Sequence, residues 1–249
     1  VPEGGVDPVE YDLMDAAEQG MWWYRALHAR VLDAVAEAPG SGAPLLDAGC
    51  GTGGFLARLR AARPDLPAIG VEYNPEAAAR AAAKSGVPVA VGSVNDLPFP
   101  DGRFGVVISC DVLGHAAVDP RRALGEMARV LRPGGLLVLN LPAFEWLRSA
   151  HDARVHNARR FTAGEASALL EAAGLARIRP RYWNSLLLPL MVLHRKLVAR
   201  APDHGSDVAP FSPWLDRTLH AATEAERKLA RIGAGFPAGG SILATAIRP

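Results

Sequence analysis

Cysteine is scarce in this chain of 249 residues, which holds only Cys50 and Cys110. Two cysteines build no disulfide framework, and without a CxxC pair they offer no structural zinc site. The expectation is a reducing, cytoplasmic compartment and no bound metal. A charge excess is missing too: 27 Lys plus Arg face 26 Asp plus Glu, a formal +1. That balance exerts no global pull toward nucleic acid. Long apolar runs are absent as well. The longest, Leu186 to Leu193, is far short of the roughly 20 residues of a membrane span. Residues 1–20 carry acids and no apolar core, so no signal peptide is expected. There is no internal repeat and no low-complexity tract. What remains is the composition of a soluble globular protein, long enough for one large α/β domain with an appendage.

The pattern of what is present is alternation. Residues 8–36 read as one helix, acidic at first and aromatic at Trp22, Trp23 and Tyr24, and "SGAP" (41–44) breaks it. Short apolar runs follow near 44–48, 68–72, 87–91, 104–109 and 135–140, separated by helical segments from 53, from 75 and over 120–131. Buried runs alternating with helices indicate a parallel sheet with right-handed crossovers. The helix starts agree. Asn74 before Pro75 and Asp119 before Pro120 each place a capping side chain ahead of a proline at the first helical position. "TAGE", Thr162 to Glu165, is a capping box whose helix Gly174 closes. Beyond residue 183 the text changes to an apolar, then basic stretch, a Pro-rich connector, an amphipathic helix from Trp214, and the closing strand "SILATAI".

The loop "LLDAGCGTGGF" (45–55) carries Gly49, Gly51 and Gly54 in G-x-G-x-x-G spacing, the dinucleotide fingerprint. Asp47 argues against a dinucleotide. A carboxylate at the end of the first strand is a poor neighbour for two phosphates and a good one for a cation. An Asp accepting from a ligand amine makes a charge-assisted hydrogen bond worth about 1.5–3 kcal/mol. S-adenosylmethionine (SAM) presents such an amine and a sulfonium. A Walker A loop would need GK[ST], which is missing, and no tyrosine has a lysine four positions on. Glu72, at the end of the second strand, suits a ribose diol in either SAM or NAD.

Together, "LLDAGCGTGGF", "GVEYN", "LPFPDGRFGVVISCDVLGH" and "RVLRPGGLLVL" resemble a class I SAM-dependent methyltransferase over residues 44–142. The resemblance implies a doubly wound, mostly parallel, seven-stranded Rossmann-like sheet. An N-terminal helical cap would occupy 1–43, the core 44–182, a helical lid or insertion 183–235, and the final strand 236–249. It also implies a cofactor site, with S-adenosylhomocysteine (SAH) as product. Asp47, Gly49 and Gly51 would face the methionine part, Glu72 and Tyr73 the ribose side, and Ser93 and Val94 the adenine edge. Asp111 and Leu113 would lie on the methionyl side. Ser93 stands where many relatives have Asp, so adenine recognition would pass to backbone groups, Asn95 or Asp96. "MWWYR", "SAHDARVHNARRF" and "FPAGGSILA" are similar to a bacterial subgroup with a Trp-Trp-aromatic first helix, often encoded near cell-envelope genes. Met21 stands where that subgroup usually has His.

Methyl transfer from a sulfonium needs mainly proximity and orientation, with a base only where the acceptor carries a proton. His151 beside Asp152 is one candidate base, with a polar surface turn as its plain alternative; His115 is the second. His156 and Arg160 could hold an acceptor group or simply solvate the approach to a helix. Trp22, Trp23 and Tyr24 could wall an apolar acceptor pocket or pack the first helix. Three consecutive residues cannot share one helix face, so at least one reaches a lid, a substrate or a partner. Segment 186–200 could serve as a lid, a homodimer contact or a peripheral membrane-surface element. The activity expected is methyl transfer to a small-molecule or lipid-like acceptor with an apolar body, in bacterial specialised or cell-envelope metabolism. The alternatives are an NAD-dependent oxidoreductase and a non-catalytic SAM-binding sensor.

Overall fold

The computed structural model describes residues 8–38, 42–198 and 211–249. The Pro-rich stretch 201–210 and the side chain of His151 lie outside the described parts. Seven strands form one sheet: β1 (Leu45–Ala48), β2 (Ala68–Glu72), β3 (Val89–Val91), β4 (Phe104–Cys110), β5 (Leu131–Pro142), β6 (Ala176–Trp183) and β7 (Ser241–Ile247). Their order is β3-β2-β1-β4-β5-β7-β6. Pairings among β1 to β5 are parallel, while β7 runs antiparallel to both β5 and β6. This is the doubly wound, Rossmann-like sheet that the alternating apolar runs and the family resemblance lead one to expect.

Both faces of the sheet are covered, which is why its strands read as continuous apolar runs. Side chains alternate between the faces. Leu46, Val107, Leu137 and Leu139 join a core with Leu124 and Met127 of α5 (Pro120–Val130) and Leu170 of α7 (Ala163–Ala172). Leu45, Val106, Ile108 and Val138 point the other way. They meet Leu27, Val31 and Val35 of α2 (Trp22–Ala36) and Phe55 and Leu59 of α3 (Gly54–Ala62). The helix starts behave as capping chemistry dictates. Asn74 accepts from the amides of Glu76 and Ala77 at the head of α4 (Pro75–Ser85), and Asp119 does the same for α5. The Thr162–Glu165 capping box closes in both directions.

Two elements depart from the sequence reading. The single helix expected over 8–36 is two helices, α1 (Pro8–Ala17) and α2, with a turn at 18–21. Gly20 loosens the chain there, and the halves have different work. The apolar face of α2 packs on the sheet, whereas α1 crosses the sheet's carboxyl end, tied to α4 by Asp12–Arg80 and Asp15–Lys84. One straight rod could not reach both places. The second departure is β6, which no apolar run announced. Arg177, Arg179 and Arg181 are exposed while Ile178 and Tyr182 pack on the core. Such an alternating strand containing Pro180 is tolerated because it lies at the sheet edge.

Between β6 and β7 the chain inserts α8 (Leu188–Val198) and α9 (Pro213–Arg231). Leu190 and Leu193 of α8 are exposed here at the spacing of one helical face, and Leu186 in the turn before it is exposed too. The long helix α9 lies against α2. Asp216 accepts from the Trp22 amide at 2.7 Å, and Arg227 donates to Asp33 at 2.8 Å. The buried side chain of Glu226 joins the insertion to the sheet. It accepts from three consecutive amides, Asn184 (2.7 Å), Ser185 (2.6 Å) and Leu186 (3.0 Å), with Arg30 3.5 Å away. Removing Glu226 strands those donors and a buried guanidinium. Glu226→Ala should therefore lower unfolding stability by about 3–5 kcal/mol. Glu224→Ala, which removes a partly exposed pair with Arg227, should cost no more than about 1 kcal/mol. Urea denaturation midpoints of the two variants check the contrast.

Candidate active site

In an open α/β sheet the ligand crevice opens where strand order reverses, beyond the carboxyl ends of the strands. Here that point lies between β1 and β4. The loop leaving β1 is pressed into its surroundings on two sides. Gly49 has φ +88°, and a Cβ there would come within 2.4 Å of Val112 Cγ2. Gly53 caps α3 at φ +87°, where a Cβ would lie 2.6 Å from the Ala81 Cα of α4. Side chains at either position would push the loop off its neighbours.

Two carboxylates stand at the ends of adjacent strands. Asp47 and Glu72 are 3% and 7% exposed. Glu72 accepts from the Gly51 amide (2.9 Å), the Asn74 amide (3.0 Å) and the Tyr11 hydroxyl (3.2 Å). Burial pushes the Asp47 carboxyl up to about 8, reinforced by the negative charges of Glu72 and Glu18. The same surroundings raise the Tyr11 hydroxyl and the Cys50 thiol, burial first and Glu72 or Asp47 after it. Glu18 is also raised by burial, with Lys84 pulling it back. The crevice is thus a pocket of negative charge that a cationic ligand would relieve.

The helix α1 lies over this loop. Tyr11 reaches Glu72, Met14 approaches Gly51, and Glu18 sits against Gly54 while pairing with Lys84. None of these three was a sequence candidate. Their only signal was the acidic character of residues 8–18. On the far side of Glu72, Tyr73 is 51% exposed and Val94 is buried. Ser93 accepts from the Asn95 amide. Both ends of the Asn95 amide group are occupied, by the Ala117 carbonyl and the Asp119 amide. Asp96 is exposed, and its carboxylate makes no hydrogen bond with a described residue.

Opposite β1, the turn after β4 carries Asp111, Val112, Leu113 and His115. Leu113 is fully buried in the core. His115 is depressed by burial and by His156 nearby, so it favours the neutral imidazole. Asp111 adopts φ +59°, and Asn140 of β5 donates to both its oxygens at 3.0 and 2.8 Å. Asn140 in turn accepts from Trp183 Nε1 at 2.8 Å. Asn140 and Trp183 join the site only in three dimensions. A polar residue ending the apolar run "LLVLN" was the one available hint.

The aromatic triplet points three ways. Trp22 meets Phe211 edge-on, Trp23 stacks on Trp183 with centroids 6.1 Å apart, and Tyr24 turns toward His28. The loop after β5 includes a short helix, α6 (Ala150–Arg154). Asp152 is buried there and accepts from Arg160 (3.0 and 2.9 Å), the Ser149 amide (2.7 Å) and Asn157 (2.7 Å). The Arg160 fork holds its carboxyl below the usual range against burial, which acts the other way. Arg160 also donates to the Ala143 carbonyl, so its guanidinium is occupied inside the protein. His156 is exposed with φ +51° and gives its carbonyl to Ala116.

Residues 46–139 match the family model for a methyltransferase domain. An uncharacterized methyltransferase of Mycobacterium sp. (strain JLS) is 40% identical over 116 residues, 46% of this chain and 45% of that protein. A protein of Mycolicibacterium smegmatis, described as a probable S-adenosylmethionine-dependent methyltransferase, is 32% identical over 163 residues, 64% of this chain and 60% of its own length. The chain therefore spans less than two thirds of these relatives. The solved SAM-dependent methyltransferase of Thermotoga maritima superimposes with a TM-score of 0.61 at 22% identity, covering 97% of this chain and 95% of that one.

The buried Asp47 generates a stability prediction. Its native affinity for the proton (about 8) exceeds that of an unfolded Asp (3.8). Between those values the native state holds a proton that the unfolded chain has released. Stability is then greatest below about pH 4 for this group and falls as pH rises to 8, by up to about 1.4 kcal/mol per unit. Urea midpoints from pH 5 to 8 should show a shallower decline in Asp47→Asn than in the wild type.

Proposed function

We propose that this chain, whose residues 46–139 match the family model for a methyltransferase domain, is a class I SAM-dependent methyltransferase that transfers a methyl group to a small or lipid-like acceptor with an apolar body. The observation that carries the reading is the pair of buried carboxylates, Asp47 and Glu72, at the switch point beside a glycine loop. Burial, with the charges of Glu72 and Glu18 behind it, holds Asp47 at about 8, and pyrophosphate would aggravate that field where an ammonium relieves it. The residues thus fit SAM and disfavour NAD.

Asp47 would hold the amine of the methionine part, with Gly49 and Gly51 allowing close backbone approach. Glu72 would take the ribose diol with Tyr73 beside it. Ser93, Val94 and the unengaged Asp96 would border the adenine. When bound, SAM supplies an electrophilic methyl on a sulfonium. The protein's task is then to exclude water and orient the acceptor. Trp22, Trp23 and Tyr24, together with α1 and the α8–α9 insertion, would form the acceptor's cover. The exposed leucines of α8 support an acceptor with an apolar body. Asp152, committed to Arg160, would set the loop's shape and leave proton handling to a group nearer the crevice.

Calorimetry tests the reading. SAM should bind and NAD should not. At pH 7, binding should release about one proton as the SAM amine favours the ionised Asp47 carboxylate, visible as a dependence of the heat on buffer ionisation enthalpy. Asp47→Asn should lose that proton release and weaken SAM by about 10- to 150-fold. Unchanged SAM affinity in a folded Asp47→Asn protein would falsify the assignment.

A further inference from the structure

A further carboxylate stands on the β4 side of the switch point. Asp111 follows β4, and the adjoining Val112 packs against Gly49 of the opposite loop. Its backbone is left-handed at φ +59°, a conformation that costs a non-glycine residue energy and clusters at functional sites. The side chain is fixed by a relay. Trp183 Nε1 donates to Asn140 Oδ1 at 2.8 Å, and Asn140 Nδ2 donates to both Asp111 oxygens. Asn140 is fully buried and Trp183 is 3% exposed. Trp183 is itself clamped between Trp23, stacked at 27°, and the Arg30 guanidinium, 4.6 Å from its ring. Three strands and α2 thus combine to aim one carboxylate.

That carboxylate is under-satisfied. A carboxylate offers about four lone-pair sites, and a single amide nitrogen serves Asp111 among the described residues. Arg160, the cation whose charge acts on it, is already paired with Asp152, whose negative charge opposes the effect. Cys110, alongside, feels Asp111 on one side and Asp47 on the other. Loss of solvation brings Asp111 up to about 7. The charge balance points the same way. Glu18 has Lys84, but among the described residues no cation pairs with Asp47, Glu72 or Asp111. SAM brings one net positive charge, so negative charge remains after the cofactor is seated.

We propose that Asp111 binds the acceptor's head group, that this head group is an amine, and that Asn140 and Trp183 position the carboxylate. The inference rests on the methyltransferase reading above and specifies its acceptor class. An ammonium docks on Asp111 and gives it a proton, leaving a neutral amine. The nitrogen lone pair then forms the N–C bond as the C–S bond breaks. The bond pair stays on sulfur as the thioether of SAH, the methylated nitrogen carries the positive charge, and Asp111 later releases its proton to solvent.

The test uses amines and alcohols matched on the same apolar body: tryptamine with tryptophol, and dodecylamine with dodecanol. Binding to the SAH-loaded protein is measured by calorimetry. Each amine should bind at least about 10-fold tighter than its alcohol. Asp111→Asn, assayed at SAH concentrations that saturate the variant, should erase that preference. Trp183→Phe keeps the ring stack but drops the donor, and it should shift the pH midpoint of amine binding without abolishing it. A ¹³C-carboxyl signal that titrates near 7 and is missing from Asp111→Asn would assign the proton without any acceptor. Equal binding of amines and alcohols, an amine preference surviving in Asp111→Asn, or an Asp111 signal titrating near 4 would each overturn the proposal. Failure of SAM itself to bind would instead overturn the cofactor reading.

Discussion

The structure around the crevice is organised by carboxylates that cannot satisfy one another. Asp47 and Glu72 are brought side by side because β1 and β2 pair in parallel and both end there. Each lies at a strand terminus shielded from water, and it is burial first, with the charges of Glu72 and Glu18 added to it, that raises the Asp47 carboxyl. The neighbouring chain accommodates this field. Backbone amides of the glycine loop and of Asn74 turn toward Glu72, Tyr11 adds a hydroxyl, and Lys84 takes Glu18. Tyr11 of α1 and Glu18 just beyond it thus tie this helix to the crevice.

A second dependence runs through the edge of the sheet. Because β7 returns antiparallel beside β5, β6 lies at the margin and its end, Trp183–Asn184, reaches the same crevice. The following three amides are closed by Glu226, so α9 and the sheet edge form one unit. Trp183 stands between the Asn140–Asp111 pair below and Trp23 above. The turn after β4 and the start of α2 are thus joined through one indole. A change in the insertion would reach Asp111 through two hydrogen bonds and one ring stack.

The parts of this architecture legible in the sequence are those with local causes. Strand runs, capping residues and the glycine loop depend on residues a few positions apart, and all lie where their patterns placed them. The break at Gly20 was missed because both halves are good helix sequence and only their different destinations separate them. The strand β6 was missed because an edge strand needs only one apolar side, and its arginines mask that side's period. The fork that holds Asp152 comes from Arg160, eight residues on, and no local pattern announced it.

By itself, then, the sequence determined six of the seven strands, the helix boundaries set by capping, and the acidic character of the loop at Asp47. These follow from backbone preference, apolar periodicity and the sign of a charge, none of which needs distant neighbours. Only the tertiary structure decided that Tyr11 and Glu18 close over that loop and that Glu226 fastens the insertion. It alone decided that Asn140 and Trp183 hold Asp111 in a left-handed turn. The residues in each such group are separated by tens of positions or more. Their hydrogen bonds exist because the fold excludes water between them, and a property created by shared burial has no signature in any one segment.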